Sequence, residues 1–326
     1  MNKIKKIGVF TSGGDSSGMN TAIRAVVRTA IYHNIEVVGI YRGYEGMIEG
    51  DFVALNLRSV AKIIHTGGTI LKSARSKNFM TKEGREKAYE NLKANNIDSC
   101  IAIGGDGTFT GANIFFQEFG FPMVGLPGTI DNDIFGTDNT IGFDTACNNA
   151  MHAIDKIRDT ATSHNRLFFV EVMGRDAGYI GLKCAIAAGA KAVMLPETHT
   201  AIDELYNIIK RGEKERKSSN IVVVCEGNKN GDAHELANEI SKIDSSYDIK
   251  VAVLGHIQRG GTPTVADRVL ASRMGMVGIE ALLEGKKNVM VGIVNDRVAY
   301  TDFEKAIKEN NLLNEELLKA IDILSR

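Results

Sequence analysis

Apolar residues in this chain come in short unbroken runs instead of alternating with polar ones. The runs are KIGVFTS (6–12), EVVGIY (36–41), SCIAIGG (99–105), PMVGLPG (122–128), RLFFVEVMG (166–174), KAVMLPE (191–197), NIVVVCEG (220–227), KVAVLGH (250–256) and VMVGIV (289–294). Each has strand length and β-branched content, and nearly all end in glycine or a polar cluster. Continuous apolarity marks strands covered on both faces, as in parallel sheets. Helical patterns lie between them at 19–33, 108–120, 147–163, 201–217 and 268–285. Thr200 with Asp203 predicts a capping box for the fourth, and Asp267 is the expected N-cap of the fifth. Strand–helix alternation of this kind predicts α/β architecture.

The length of 326 residues favours two domains over one, and the polar stretch FGTDNTIGFDT (135–145) is the best boundary that composition offers. A net charge of -1 argues against a nucleic-acid partner. The apolar run near the start is too short for a signal peptide, and no segment approaches the ~20 apolar residues that span a bilayer. Cys100, Cys147, Cys184 and Cys225 show no metal-ligand spacing. The expectation is a cytoplasmic protein with no membrane partner.

In open parallel sheets, ligands bind beyond the carboxyl ends of the strands, so the polar residues there are read together. TSGGDSSGMN (11–20) leads from a strand into a helix; Gly13 and Gly14 permit close backbone approach, and the helix start offers N–H groups to a phosphate. GGDGT (104–108) repeats the arrangement. Asp106 there is either an N-cap or a carboxylate holding Mg²⁺ on nucleotide phosphates. In LPGTIDNDI, residues two apart on an extended segment share a side. That would turn Asp131 and Asp133 into one cleft, one as proton acceptor and the other as orienting or metal-side group. The alternative is a loop whose aspartates cap backbone groups. Arg75, Arg175, His256, Gln258 and Arg259 are the candidate anion partners, and Glu226 either meets sugar hydroxyls or caps a turn.

Taken in order, TSGGDSSGMN, IGGDGT, GLPGTIDNDI, EVMGRDAG and VLGHIQRGG closely resemble the bacterial-type 6-phosphofructokinases, over nearly the whole chain to about residue 300. The resemblance implies two doubly wound, Rossmann-like three-layer domains with the active site in the cleft between them. They would comprise 1–138 plus 258–305 for ATP and 139–257 plus 306–326 for fructose 6-phosphate. It implies phosphotransfer from ATP to the 1-hydroxyl of fructose 6-phosphate. Asp131 would be the general base, Asp106 and Asp133 would handle Mg²⁺, and Thr129 would lie near the reacting phosphoryl group. Gly14, Tyr44, Arg75, Ser76, Gly105, Asp106, Gly107 and Thr108 would bind ATP. Thr129, Ile130, Met173, Gly174, Arg175, Glu226, His256, Gln258 and Arg259 would hold the sugar phosphate, completed by Arg166 and Lys250 of a neighbouring subunit in a homotetramer. Pyrophosphate-using relatives carry aspartate where Gly107 stands and lysine where Gly128 stands, so this chain resembles the ATP users.

Some positions depart from the family pattern. Lys250 stands for the usual arginine and Ser17 for a usual proline. Arg24, Arg28, Arg158 and Gly189 match the effector site that takes ADP or phosphoenolpyruvate. Its basic cluster, however, reads ERKSS (215–219), leaving Lys217, and Lys62 replaces a usual aspartate. Two other readings remain open: a kinase of a different sugar phosphate, and a catalytically silent regulatory paralogue.

Overall fold

The computed structural model describes residues 4–164, 166–214, 220–309 and 311–324. The chain divides into two compact units, Met1–Ile130 with Ile134–Thr145 and Arg259–Asn311, and Asp131–Asp133 with Ala146–Gln258 and Leu312–Arg326.

The first unit contains β1 (Lys6–Thr11), α1 (Met19–Tyr32), β2 (Glu36–Ile40), α2 (Tyr44–Glu49), β3 (Phe52–Leu55), α3 (Lys82–Ala94), β4 (Ser99–Gly104), α4 (Asp106–Phe119) and β5 (Met123–Pro127). α5 (Phe143–His164) begins there and continues into the second unit. The second unit then adds β6 (Leu167–Val172), α6 (Tyr179–Ala188), β7 (Ala192–Met194), α7 (Ile202–Lys214), β8 (Ile221–Cys225), α8 (Ala233–Ile243) and β9 (Ile249–Val253). The chain returns to the first unit for α9 (Val265–Leu283), β10 (Val289–Val294), β11 (Arg297–Asp302) and α10 (Phe303–Lys308), and α11 (Glu315–Leu324) belongs to the second.

The larger sheet has the order β11-β10-β5-β4-β1-β2-β3, parallel except for its two edge strands. The smaller sheet, β7-β8-β6-β9, is wholly parallel. Alternate residues of one strand enter opposite cores. Ile7, Val9, Ile101, Ile103, Val124 and Leu126 pack with α1 and α9, whereas Phe10, Cys100, Ala102 and Met123 pack with residues of α2, α3 and α4. Burial on both faces is the reason these strands are apolar throughout. The expected α/β layering with mainly parallel sheets is what the structure has. The nine predicted runs each contain a strand, and all five predicted helices are present. Among the described residues, no helix is long and apolar enough to cross a membrane.

Two edge strands lie outside the predicted runs, and one expectation fails. β3 is a run of only four apolar residues, FVAL, and β11, RVAYTD, mixes apolar with polar residues; both are only partly buried. Asp267 is not the N-cap of α9. The Thr264 hydroxyl caps that helix by accepting from Asp267 N–H at 3.2 Å. The buried Asp267 carboxylate instead accepts N–H bonds from Gly142 and Thr145, each 2.8 Å, and the Thr145 hydroxyl at 2.5 Å, so it caps the start of α5. Burial pushes its pKa up, and these bonds oppose the rise.

α3 packs on α4 through Tyr89, stacked on Phe119 at 4.7 Å, and is tied to it by a charged side chain. Arg85, 9% exposed, makes a forked pair with Glu118 at 2.6 and 2.7 Å and donates to the carbonyls of Phe79 and Met80 at 3.0 and 2.8 Å. Arg85→Ala strands two carbonyls and half-buried Glu118, and a loss of about 2 kcal/mol is expected. Urea unfolding of the variant against the parent, compared by midpoint at equal slope, measures it.

Candidate functional site

In the larger sheet β1 and β4 are neighbours, and the chain leaves them in opposite directions, towards β2 and towards β5. This is the topological switch point, where a crevice opens beyond the strand ends. Both glycine turns lie there. Ser12 N–H donates to the Ile103 carbonyl at 3.0 Å, and the Thr108 hydroxyl donates to the Ser12 carbonyl at 3.2 Å. A β-carbon on Gly104 would sit 2.3 Å from Thr108 Oγ1 and 2.5 Å from the Ser12 carbonyl, so only glycine fits between the turns. Gly105 is the N-cap of α4 and offers no side chain to the amides of Asp106 and Gly107, which are therefore available to an anion, whereas Thr108 N–H donates to the Gly105 carbonyl at 2.9 Å. One on Gly107 would meet nothing within 4 Å, so the space above the first turn of α4 is open.

Asp106 is the first residue of α4, and its Oδ1 is buried without a hydrogen-bond partner. An orphaned buried carboxylate oxygen beside open space at a helix start suits a cation carried in with phosphates. No group of three or more His, Cys, Asp or Glu side chains among the described residues could hold a metal. Mg²⁺ is commonly held by one or two carboxylates plus substrate phosphates.

The other expected donor-side residues fall in different surroundings. Gly13 and Gly14 are exposed, and Arg259 lies over them: its Nη1 donates to the Asp15 carbonyl at 3.3 Å, and a β-carbon on Gly14 would be 2.7 Å from that nitrogen. Tyr44 is buried, with its ring stacked on Phe79 at 3.9 Å and its hydroxyl donating to the Thr108 carbonyl at 2.5 Å. It acts as a strut under the first turn of α4, with neither ring face open for an adenine. Ser76 donates to Glu45 at 2.5 Å and accepts from Phe79 N–H at 3.0 Å, while Arg75 beside it is exposed. The Ser76 and Asn78 bonds hold the Glu45 carboxyl below the usual range.

Past β5, Gly128 bridges Ile141 and the Thr140 hydroxyl donates to the Thr129 carbonyl at 2.6 Å, fixing the entry to the Asp-Asn-Asp segment. Thr129, Ile130, Asp131 and Asn132 are buried, and Asp133 is half-buried. Asn132 has φ +57°, so the segment turns and is not extended. Alternation along a strand therefore does not place Asp131 and Asp133 on one side, which corrects that part of the sequence argument.

In the second unit the expected sugar-side residues follow the carboxyl ends of β6, β8 and β9. Gln258 is buried and accepts from Met173 N–H at 2.8 Å. Glu226 accepts from Gly174 N–H at 3.3 Å and Arg175 N–H at 3.1 Å, so its carboxylate shapes the β6 turn. Arg175 is left-handed (φ +55°), and its side chain is exposed, as is His256. Arg166 and Lys250 lie at the opposite, amino end of the same sheet, where both pair with Asp248 at 2.7 Å. Those pairs, that with Lys250 foremost, hold the Asp248 carboxyl below its usual range. Six-residue β6 is about 20 Å long, so Arg166 and Arg175 of one chain cannot hold one small ligand.

Of the expected effector residues, Arg24 is half-buried and Arg28 exposed, both on α1. Arg158 donates to the Ala188 carbonyl, beside left-handed Gly189. Lys217 lies outside the described residues.

Residues 6–282 match the family model described as Phosphofructokinase. The chain is 53% identical over 325 residues to ATP-dependent 6-phosphofructokinase 2 of Bacteroides thetaiotaomicron, covering 100% of both chains. It is 52% identical over 322 residues to ATP-dependent 6-phosphofructokinase 1 of Thermus thermophilus, covering 99% of this chain and 100% of the other. Its fold is similar to that of phosphofructokinase from Saccharomyces cerevisiae, with TM-score 0.89 at 35% identity over 98% of this chain and 47% of the yeast chain.

The two glycines of the β4 turn respond differently to a methyl group. Gly104→Ala is expected to cost about 1–3 kcal/mol through overpacking against Ser12 and Thr108, and Gly107→Ala less than about 1 kcal/mol. Chemical denaturation of both variants checks the contrast, which fails if Gly104→Ala is the milder change.

Proposed function

Because the chain belongs to the phosphofructokinase family, we propose that it catalyses ATP-dependent transfer of the γ-phosphate to the 1-hydroxyl of fructose 6-phosphate, releasing ADP and fructose 1,6-bisphosphate. The observation that carries this reading is the paired glycine turn at the β1/β4 switch point, with open space over Gly107 and the orphaned Asp106 oxygen beside it. Phosphoryl transfer asks the protein for positioning and charge neutralisation more than covalent chemistry.

ATP is held by Gly14, Arg75 and the run Gly105 to Thr108, where the N-terminal amides of α4 face its phosphates. Glycine at 107 leaves room for a nucleotide where a pyrophosphate user would carry a carboxylate, and at buried Gly128, where such a relative would carry a lysine, a β-carbon would meet Ile103 and Met19 at 3.1 and 3.2 Å. Asp106 and Asp133 would hold Mg²⁺, which when bound neutralises negative charge on the phosphates. Met173, Gly174, Arg175, Glu226, His256 and Arg259 hold the sugar phosphate, with Glu226 also setting the turn that presents Arg175. Asp131 accepts the proton from the 1-hydroxyl as that oxygen bonds to the γ-phosphorus and the bond to the ADP oxygen breaks. Its burial keeps competing water away. Arg166 and Lys250 serve the sugar phosphate of a neighbouring copy in a homotetramer. Their place at the far end of the β6–β9 pair from Arg175 supports that sharing.

Asp131→Asn is expected to leave ATP binding within about twofold and to reduce turnover by about 10²–10⁴-fold. Isothermal titration and coupled-assay kinetics decide this, and near-parental turnover removes Asp131 from the base role. Gly107→Asp is expected to raise the KM for ATP at least about tenfold, through repulsion between its carboxylate and the phosphates. An unchanged KM would show that the nucleotide lies elsewhere.

A further inference from the structure

Ser17 lies in the turn between β1 and α1 and is 1% exposed. Its oxygen is 2.8 Å from the Gly261 carbonyl, 3.1 Å from that of Gly260 and 3.4 Å from that of Arg259. A hydroxyl has one proton to give, so Gly261 is the principal acceptor. Contact also runs the other way, because Arg259 Nη1 reaches the Asp15 carbonyl over Gly14. The two segments are thus stitched once through the backbone of 259–261 and once through the Arg259 side chain.

Gly260 and Gly261 have no side chains to anchor the segment, and Gly261 is left-handed (φ +88°). Support comes from a third stretch, since a β-carbon on Gly67 would be 2.3 Å from the Gly261 carbonyl. That stretch hangs on α1. Asn20 Nδ2 donates to Thr66 and Gly67 oxygens at 3.0–3.2 Å, Asn20 Oδ1 accepts from Ile70 N–H at 2.7 Å, and the Thr21 hydroxyl donates to the Ile64 carbonyl at 2.9 Å. The hydroxyl of Ser17 is the side-chain group that binds the 259–261 backbone directly to the start of this assembly.

We propose that Ser17 is a positioning residue for the sugar-phosphate site: by fixing the backbone of 259–261 on the first glycine turn, it sets the guanidinium of Arg259 for its anionic ligand. The proposal rests on the reading of Arg259 as a sugar-phosphate group. Without the hydroxyl the Gly261 carbonyl loses a buried partner and the glycine pair regains backbone freedom, so Arg259 must be ordered at the expense of binding.

The test is a double-mutant cycle on the full chain with fructose 6-phosphate and ATP, using Ser17→Ala, Ser17→Thr, Arg259→Ala and the double variant Ser17→Ala/Arg259→Ala, each with a thermal melt. Ser17→Ala is expected to raise the KM for fructose 6-phosphate about tenfold with the KM for ATP within about twofold. Ser17→Thr, which keeps the hydroxyl, restores most of it. On the Arg259→Ala background, Ser17→Ala adds less than about twofold. The proposal is overturned if Ser17→Ala changes nothing, if both KM values rise together with a lowered melting temperature, or if the two effects multiply in full. Should Arg259→Ala itself leave the KM for fructose 6-phosphate unchanged, the reading of Arg259 as a ligand fails and takes the proposal with it. A strong Arg259→Ala effect alongside a neutral or fully multiplicative Ser17→Ala sinks only the role of Ser17.

Discussion

Between the carboxyl ends of β1 and β4 the two backbones approach so closely that the hydroxyl of Thr108 fills the gap and the Ser12 carbonyl receives it. This contact needs a residue without a β-carbon at 104. It also ties the turn that leads into α1 to the turn that opens α4. The remaining donor-side features depend on it. Tyr44 braces the same first turn of α4 from below, Arg85 pins the 3₁₀ turn that carries Phe79, and Phe79 stacks on Tyr44. The positive start of α4 is left without a side-chain cap and open to an anion without any cation having to be buried, and that arrangement costs less desolvation than an inward-facing lysine would.

Much of this was legible in the sequence because both faces of each sheet are covered. Two-sided burial leaves polar residues only at strand ends, and there they cluster into the motifs that mark the site. Burial also explains what escaped notice. β3 and β11 pair on one side only; β3 is a run of just four apolar residues, and β11 mixes apolar with polar ones. α6, with six buried residues in YIGLKCAIAA, is too evenly apolar to show a helical period. α8 carries a readable signal, the Asp232–Glu235 capping box. Residue chemistry alone was weakest where one side chain had two jobs within reach. Asp267 bonds the start of α5 in place of its own helix, and Glu226 receives backbone amides before any ligand arrives. Neither choice follows from spacing, because each depends on which foreign N–H groups the fold delivers. The left-handed Asn132 is a similar case, since an Asx residue tolerates that conformation without demanding it.

The second unit separates its cations. Arg175 and His256 follow strand ends on one edge of the small sheet, while on the other Arg166 precedes β6, Lys250 is the second residue of β9, and the two share Asp248. Asp248 keeps those two like charges adjacent by bridging them through different oxygens. A carboxylate between two cations lowers their repulsion and leaves the group with net positive charge.

Residues 56–77 have neither helix nor strand, yet Asn20 and Thr21 fasten their middle to α1 at Ile64, Thr66, Gly67 and Ile70. Such a stretch inherits its rigidity from the helix it leans on and lacks the slack usual for an irregular connection. Lengthening would be absorbed at 56–59, before the buried Val60 and outside the fastened part, whereas one extra residue between 64 and 70 would put the bonded groups out of register with a side chain that cannot follow them. The segment thus tolerates a change of length at one end and resists it in the middle.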